Sequence, residues 1–310
     1  MGLTYQIVDE KASVTEYTGN ATELEIPSTV KDATVDSINN DAFVNMTTLT
    51  KVIAPSITSL GDKCFYNCKG LTSITLPEAI TLGLQCFYGC TGLTSVELPK
   101  ATTFGAKCFD QCLTLSSINA PEVTSLGNSC LEGCSNLTSV ELPKATSFGD
   151  SCFNACGSLT SISLPEAITF GTNCFYYCSA LTSVELPKAT TFGTNCFYQC
   201  RKLSSINLQA ATTLGDRCFG NCEALTSITL PSILVLGTKI TESCSKATTI
   251  TFGGTGKPIS DTSQFDASAI ANANISTLNL TIYVSDSSNP PSLTGSPWGA
   301  SYATIIYEQA

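Results

Sequence analysis

Apolar and polar positions alternate over a short span in this chain, stop at a proline, and begin again 22 residues later. The run has the form L-x-x-[IV]-x-[LA]-P, as in LTSITLP at 71–77, and its β-branched position recurs at Val52, Ile74, Val96, Ile118, Val140, Ile162, Val184, Ile206, Ile228 and Ile250. Alternation over so few residues predicts one short strand per repeat. The proline that closes most runs stops the strand. Each strand is followed by a glycine, at Gly61, Gly83, Gly105, Gly127, Gly149, Gly171, Gly193 and Gly215, and three residues later by C-[FL]-x-x-C. The glycine permits a tight turn. Apolar residues at i, i+1 and i+4 predict a single helical or 3₁₀ turn facing inward. A step that never varies means that every copy fills the same place in a stack and buries its apolar side against its neighbours.

Strand, bend and short helical turn make a leucine-rich-repeat unit. Twenty-two residues are too few for the helix pair of a 34-residue repeat, and a parallel β-helix would show more than one strand per rung. The ends depart from the pattern. TYQIV (4–8) and ASVTEY (12–17) alternate around a polar DEK, which predicts strand, turn and strand. LEIP (24–27) opens the first rung, but Pro27 and Pro55 are 28 residues apart, six more than 22, so this rung carries an insertion. Asn39 takes the glycine place there, and Ala42 and Met46 take the cysteine places. After Gly237, Ile240 replaces the first cysteine, Cys244 keeps the second, and ATTITFGG (247–254) supplies a last repeat strand. Beyond Lys257 the composition turns to Ser, Thr, Asn, Asp and Pro, with strand-like LNLTIYV (278–284) and SYATIIYE (301–308). The expected organisation is an N-terminal β cap with the start of the first rung over 1–38, a solenoid over 39–253, and a C-terminal cap over 254–310 that covers the open end.

The rungs, such as LTSVELPKATTFGAKCFDQC (93–112), resemble the bacterial BspA-like, or Treponema-type, leucine-rich repeats. The opening YTGNATELEIPSTVKDATVDSINNDAF (17–43) resembles that family's first repeat, and TLNLTIYVSD (277–286) its closing strand. The resemblance covers most of the chain. With it, the expected fold is an α/β repeat solenoid: a right-handed, curved leucine-rich-repeat stack with one short parallel β-strand and a short helical turn per 22-residue rung, and β-rich caps at both ends. One departure stands out, because the family usually has a small Ala where this chain has the first Cys of each pair. The resemblance also implies a bacterial cell-surface or secreted protein that adheres to a protein or glycan of a host cell or matrix.

Composition narrows the chemistry. The 310 residues carry a net charge of -10 with only 13% charged residues and no histidine. An acidic chain without a Lys/Arg cluster is a poor partner for nucleic acid, whose affinity needs cations. No run reaches the roughly 18 apolar residues of a membrane span. The start, MGLTYQIV, lacks a signal peptide, so the chain is expected to be a cytosolic protein or the mature part of a secreted one. An extracellular mature fragment, monomeric, is the reading that agrees with the resemblance. Five N-x-[ST] sequons, at Asn20, Asn45, Asn136, Asn274 and Asn279, matter only in a eukaryotic source.

Seventeen cysteines require their own account. A bridge within a pair is poor, since i,i+4 Cβ atoms on a helical turn lie about 5–6 Å apart and a disulfide needs about 3.5–4.5 Å. Bridges along the stack are disfavoured if helices set a wide spacing there. Zinc favours C-x-x-C spacing over C-x-x-x-C. The thiols are therefore expected to be buried, free, small apolar groups. Without histidine, triad and imidazole-based schemes are excluded. No phosphate, calcium or zinc motif is present, so neither catalysis nor a cofactor or metal is expected.

Binding residues are sought where repeats present ladders. Between the inward residues of successive strands stand Ile53, Thr75, Glu97, Asn119, Glu141, Ser163, Glu185, Asn207, Thr229 and Thr251, with a serine two positions earlier in most rungs. Glu97, Asn119, Glu141, Ser163, Glu185 and Asn207 form the candidate ligand-binding face, a mildly acidic stripe that solubility alone could also explain. Repetition of equivalent glutamates argues against a catalytic pair, which is normally unique. Outer-face aromatics Tyr66, Tyr88, Tyr176, Tyr177 and Tyr198 offer rings for stacking on sugars or for anchoring a partner, or pack between rungs. Glu78, Lys100, Glu122, Lys144, Glu166 and Lys188 alternate in sign and fix register. Near-identical rungs also suit a second class of function, a spacer or stalk that presents another domain.

Overall fold

The chain contributes two short strands per rung, and why it does so is visible in one repeat. In the computed structural model, which describes residues 2–253, 279–284 and 303–307, the run LTSITLP forms the strand Ser73–Thr75, with Ile74 buried and Ser73 and Thr75 exposed. Leu76 and Ala79 fill the core at the bend. A second strand, Thr81–Leu82, follows directly, with Thr81 outward and Leu82 inward. The expectation of one strand per rung is thus corrected, and with it the strand-count argument that separated this chain from a parallel β-helix. Two residues of alternation are too short to register as a period, which is why the second strand was not visible in sequence.

The expected short helical turn is also absent: no helix occurs among the described residues. The reason lies in the backbone of the cysteine segment. The residue before each cysteine has a positive φ, as at Lys63 (56°) and Asn67 (55°), Lys107 (56°) and Gln111 (60°), or Asn195 (54°) and Gln199 (60°). Left-handed residues every fourth position cannot propagate i→i−4 bonds. Alternate N–H groups instead reach the next rung: Lys63, Phe65 and Asn67 donate to the carbonyls of Leu84, Cys86 and Tyr88 at 2.7–2.8 Å, while Tyr66 and Cys68 close local turns on Lys63 and Phe65. The segment is therefore a twisted ladder, with rungs as close as in a sheet.

The molecule divides into two compact units, residues 1–159 and 160–310. In the first, an antiparallel hairpin joins Leu3–Val8 to Lys11–Tyr17 through Asp9 and Glu10, both at positive φ as a type I′ turn requires. Its second strand lies parallel to Ala33–Ile38. The insertion in the first rung is itself a small hairpin, Thr29–Val30 against Ala33–Ile38, turning at Lys31 and Asp32. From there one parallel sheet runs without interruption through Ser59–Leu60, Thr81–Leu82, Thr103–Phe104, Ser125–Leu126 and Ser147–Phe148. The first strands of the rungs behave differently. Glu23–Glu25, Lys51–Ile53 and Ser73–Thr75 form one sheet, and Ser95–Glu97, Ser117–Asn119 and Ser139–Glu141 another.

In the second unit, Thr169–Phe170, Thr191–Phe192, Thr213–Leu214 and Val235–Leu236 repeat the unbroken ladder. Its first strands again split, into Ser161–Ser163 with Ser183–Glu185, and Ser205–Asn207 with Ser227–Leu230 and Thr249–Phe252. Asn279–Val284 and Ala303–Tyr307 extend the latter sheet in parallel, so both strands expected near the C-terminus are present. The remainder of the 254–310 segment, with Pro290, Pro291 and Trp298, lies outside the described residues.

Between the ladders the core is a set of columns. Phe43, Phe65, Phe87 and Phe109 stack with ring centroids 4.8–5.3 Å apart and nearly parallel planes, and Phe175, Phe197 and Phe219 stack at 5.1 and 5.7 Å in the second unit. The repeat glycine serves close approach of backbones. A Cβ on Gly105 would lie 2.5 Å from the carbonyl carbon of Gly83, and one on Gly83 2.6 Å from that of Gly61. Their φ angles are not positive, so the sequence-based reading of a tight-turn glycine gives way to one of contact between rungs.

Candidate ligand-binding faces

In the first unit Glu97, Asn119 and Glu141 lie side by side on three paired strands, as the pattern predicts. Glu97 and Glu141 are exposed and Asn119 is half-buried. Asn119 Nδ2 donates to Glu97 Oε2 at 2.8 Å, which fixes one carboxylate and leaves the other two rungs away. In the second unit Ser163 donates its hydroxyl to Glu185 Oε2 at 2.9 Å, while Asn207 sits on the next sheet and accepts from Gln209 at 2.6 Å. The six candidates thus fall into two groups of three, one per unit.

The split between Ser73–Thr75 and Ser95–Glu97 opens a hollow of about 340 Å³ lined by Ser73, Ile74, Thr75, Leu76, Pro77, Ser95, Glu97 and Pro99. Buried Ile74 and Leu76 supply aliphatic lining, and the exposed residues add hydroxyls and the Glu97 carboxylate. Beside it, Lys100 pairs with Glu78, and farther along Lys144 pairs with Glu122 at 2.6 Å and Lys188 with Glu166 at 2.6 Å. Each pair is about half exposed, so it contributes about 0.5 kcal/mol or less and favours register.

The tyrosines divide in the same way. Tyr66 and Tyr88 stack at 4.9 Å with planes 8° apart in the first unit, and Tyr176 and Tyr198 at 5.3 Å and 6° in the second. All four are half-buried; Tyr177, tilted against Tyr176, is the exposed one at 43%. Burial, then the neighbouring Asp110, raises the Tyr88 phenol above its ordinary range. In that column Asp110 and Glu132 follow Tyr88 on successive rungs. Asp110 is buried, accepts from Gln111 Nε2 at 3.2 Å, and is pushed up to about 6 by desolvation, with Glu132 adding to the rise. Glu132 accepts from Asn154 Nδ2 at 2.8 Å. This acidic pair has no signal in the repeat, because the position varies from rung to rung: it is Tyr66, Tyr88, Tyr176 and Tyr198 in four of them, but Val44, Asn154, Gly220 and Glu242 in others.

All seventeen thiols are buried, and none is bridged. The expectation that helices hold the rungs too far apart for bridges is corrected, since no helices intervene. What occupies the second cysteine of each rung is a hydrogen bond. Cys68, Cys90, Cys112 and Cys134 donate S–H to the carbonyls of Phe43, Phe65, Phe87 and Phe109 at 2.9–3.2 Å, and Cys200, Cys222 and Cys244 repeat the contact in the second unit. Burial raises these thiols strongly; Cys68 and Cys244 are pushed up to about 12. A thiolate nucleophile is thereby suppressed. Among the described residues no group of three or more His, Cys, Asp or Glu could hold a metal ion, and no helix is long and apolar enough to cross a membrane.

Comparison with known proteins follows the repeat. The family model described as BspA type Leucine rich repeat region (6 copies) matches residues 12–122, 102–211 and 168–289. The chain belongs to the BspA-type leucine-rich-repeat family. Among solved structures, a leucine-rich repeat protein of T. pallidum is 22% identical, with a TM-score of 0.51 over 65% of this chain and 87% of its own. The pneumococcal vaccine antigen PcpA is 16% identical, with a TM-score of 0.50 over 100% of this chain and 98% of its own. At these identities the two structures share the repeat fold with this BspA-type chain. No curated protein sequence matches it.

Proposed function

We propose that this BspA-type chain is a non-catalytic binding module of a bacterial cell-surface or secreted protein, which adheres to a host or matrix protein through its strand face. The observation that carries the reading is the hollow beside Glu97. It pairs aliphatic lining from the buried Ile74 and Leu76 and from Pro77 and Pro99 with the Glu97 carboxylate, which Asn119 holds. Such a site suits a protein segment that presents an aliphatic side chain next to a lysine or arginine, since apolar burial supplies affinity and the charge supplies orientation. The chain's net charge of -10 favours a basic or neutral partner in the same sense. Description of the pneumococcal structure as a vaccine antigen fits an exposed location.

The test is surface plasmon resonance of the intact chain against a panel of extracellular-matrix proteins, with Glu97, Glu141 and Glu185 replaced together by Ala as the comparison. Saturable binding that weakens at least tenfold in the triple variant supports the strand face. Binding that the triple variant retains moves the site to the tyrosine columns. No binding to any panel member overturns the adhesive reading in favour of a spacer that presents another domain.

A further inference from the structure

A second recess lies away from the strand face, where the N-terminal hairpin joins the unbroken sheet. Two adjoining hollows of about 530 and 480 Å³ share Ser37 and Ser59, and together they form one groove across Lys11–Tyr17, Ala33–Ile38 and Ser59–Leu60. Each hollow falls within the roughly 300–1,000 Å³ of ordinary ligand sites.

Local register shapes the groove. Ala12 pairs with Val35 and Ser13 with Ser37, so Asp36 is the extra residue of a bulge. Bulges re-aim side chains and occur beside binding sites. Here the bulged Asp36 carboxylate meets Lys11 Nζ at 3.0 Å. That pair cancels its own charge and leaves Asp9 as the remaining charged group of the lining.

The rest of the lining is rich in neutral hydrogen-bonding groups, including Gln6, Ser13, Ser37, Asn39, Thr58 and Ser59. Thr58 already donates to the Asp36 carbonyl, and Ser37 to the Asp36 carboxylate. Gln6, Ser13 and Asn39 have no side-chain partner among the described residues. Hydroxyls and amides both donate and accept, which matches a ligand whose surface is itself a dense set of hydroxyls. An anion would meet no unpaired cation there, and an apolar ligand would strip water from groups it could not satisfy.

We infer that this groove binds a neutral, hydroxyl-rich ligand, an oligosaccharide, independently of the strand face. No aromatic ring lines it, so hydrogen bonds carry the affinity, and a dissociation constant of about 0.1–1 mM is expected.

Saturation-transfer NMR and isothermal titration of the intact chain test the inference with four neutral hexasaccharides: β-1,4-glucan, β-1,3-glucan, α-1,4-glucan and β-1,4-mannan. Ser13→Tyr and Ser59→Tyr each fill the groove from a strand position where tyrosine is favoured. The expected result is binding of at least one sugar, weakened at least tenfold by each variant and unchanged in the Glu97/Glu141/Glu185 triple variant. Circular dichroism identifies a variant that does not fold, and the other then decides. Absence of binding to all four sugars overturns the inference. So does binding that survives groove filling, or binding lost only in the triple variant. That last result places the sugar on the strand face, whereas failure of the matrix-protein panel leaves the groove experiment unaffected.

Discussion

Each rung offers two strands to its neighbours, and the two are not held alike. In the first unit the second strands run unbroken from Ala33–Ile38 to Ser147–Phe148, while the first strands separate between Thr75 and Glu97. The second unit shows the same contrast, with a split between Ser183–Glu185 and Ser205–Asn207. The tight side is the one next to the glycine column, where the absence of a Cβ lets one backbone touch the next. On the other side, Ile or Val and a following Leu-Pro or Ala-Pro stand at the contact, and the ladder is continuous at some rungs and interrupted at others. Ile74, at 8% exposure, borders the gap. Near-identical repetition therefore does not imply uniform strand pairing. The same rung can be ladder-paired on one edge and unpaired on the other, and the interruption lies where the candidate protein-binding hollow is.

The largest effect is expected from removing a ring of the core column itself. Phe109 stacks on Phe87 at 5.3 Å and meets the edge of Phe104, a residue of the tight ladder, at 5.4 Å. Phe109→Ala is expected to cost about 3–5 kcal/mol, measured by urea unfolding. A smaller change separates the edges. Gly105→Ala should cost about 1–3 kcal/mol, since its new Cβ meets backbone that cannot move aside. Ser95→Val, beside the gap and exposed, should stay within about 0.5 kcal/mol. Equal effects would mean that the glycine column does not set the tightness.

The thiols test the interior between the edges. Cys112→Ala removes the S–H bond to the Phe87 carbonyl and a buried sulfur, for an expected loss of about 1–2 kcal/mol. In parallel, a thiol reagent should leave the native chain unlabelled and titrate all seventeen cysteines after denaturation. Protection that outlasts denaturation would require disulfides.

Asp110 adds a dependence on pH. Its folded carboxyl lies at about 6 against an ordinary 3.8, so the folded state holds the proton more tightly than the unfolded state. Stability is then greatest below about pH 4 on this account, falls as pH rises from about 4 to about 6, and is flat above. The slope is bounded by one proton, about 1.4 kcal/mol per pH unit. Asp110→Asn should flatten the profile of melting temperature over that window. The smallest effect belongs to the exposed pairs: Lys144→Ala, which frees Glu122, should change stability by no more than about 0.5 kcal/mol.

Legibility followed burial and period. The positions of Ile74 and Val96, the outward Glu97 and Glu141, and the hairpin at 3–17 could be read from alternation alone, because a residue's side of a strand follows from counting. The cysteine segment misled for a physical reason. C-F-x-x-C has the spacing of a helical turn, yet left-handed residues at Lys63 and Asn67 carry the chain into a ladder, and the competing bonds come from a rung 22 residues away. Asp110, Glu132 and the groove at Ser13, Ser37 and Ser59 gave no repeating signal.

What the sequence by itself determined is the period, the inward set of each rung and the burial of the paired thiols, since a strict 22-residue repeat of apolar positions admits one stack. Tertiary structure alone decided that rungs meet through extended backbone, that one edge closes while the other parts, and that a bulge at Asp36 hollows the sheet beside the hairpin. These depend on distances between residues far apart in the chain, set by whether a Cβ stands between two backbones, and no local pattern carries that information.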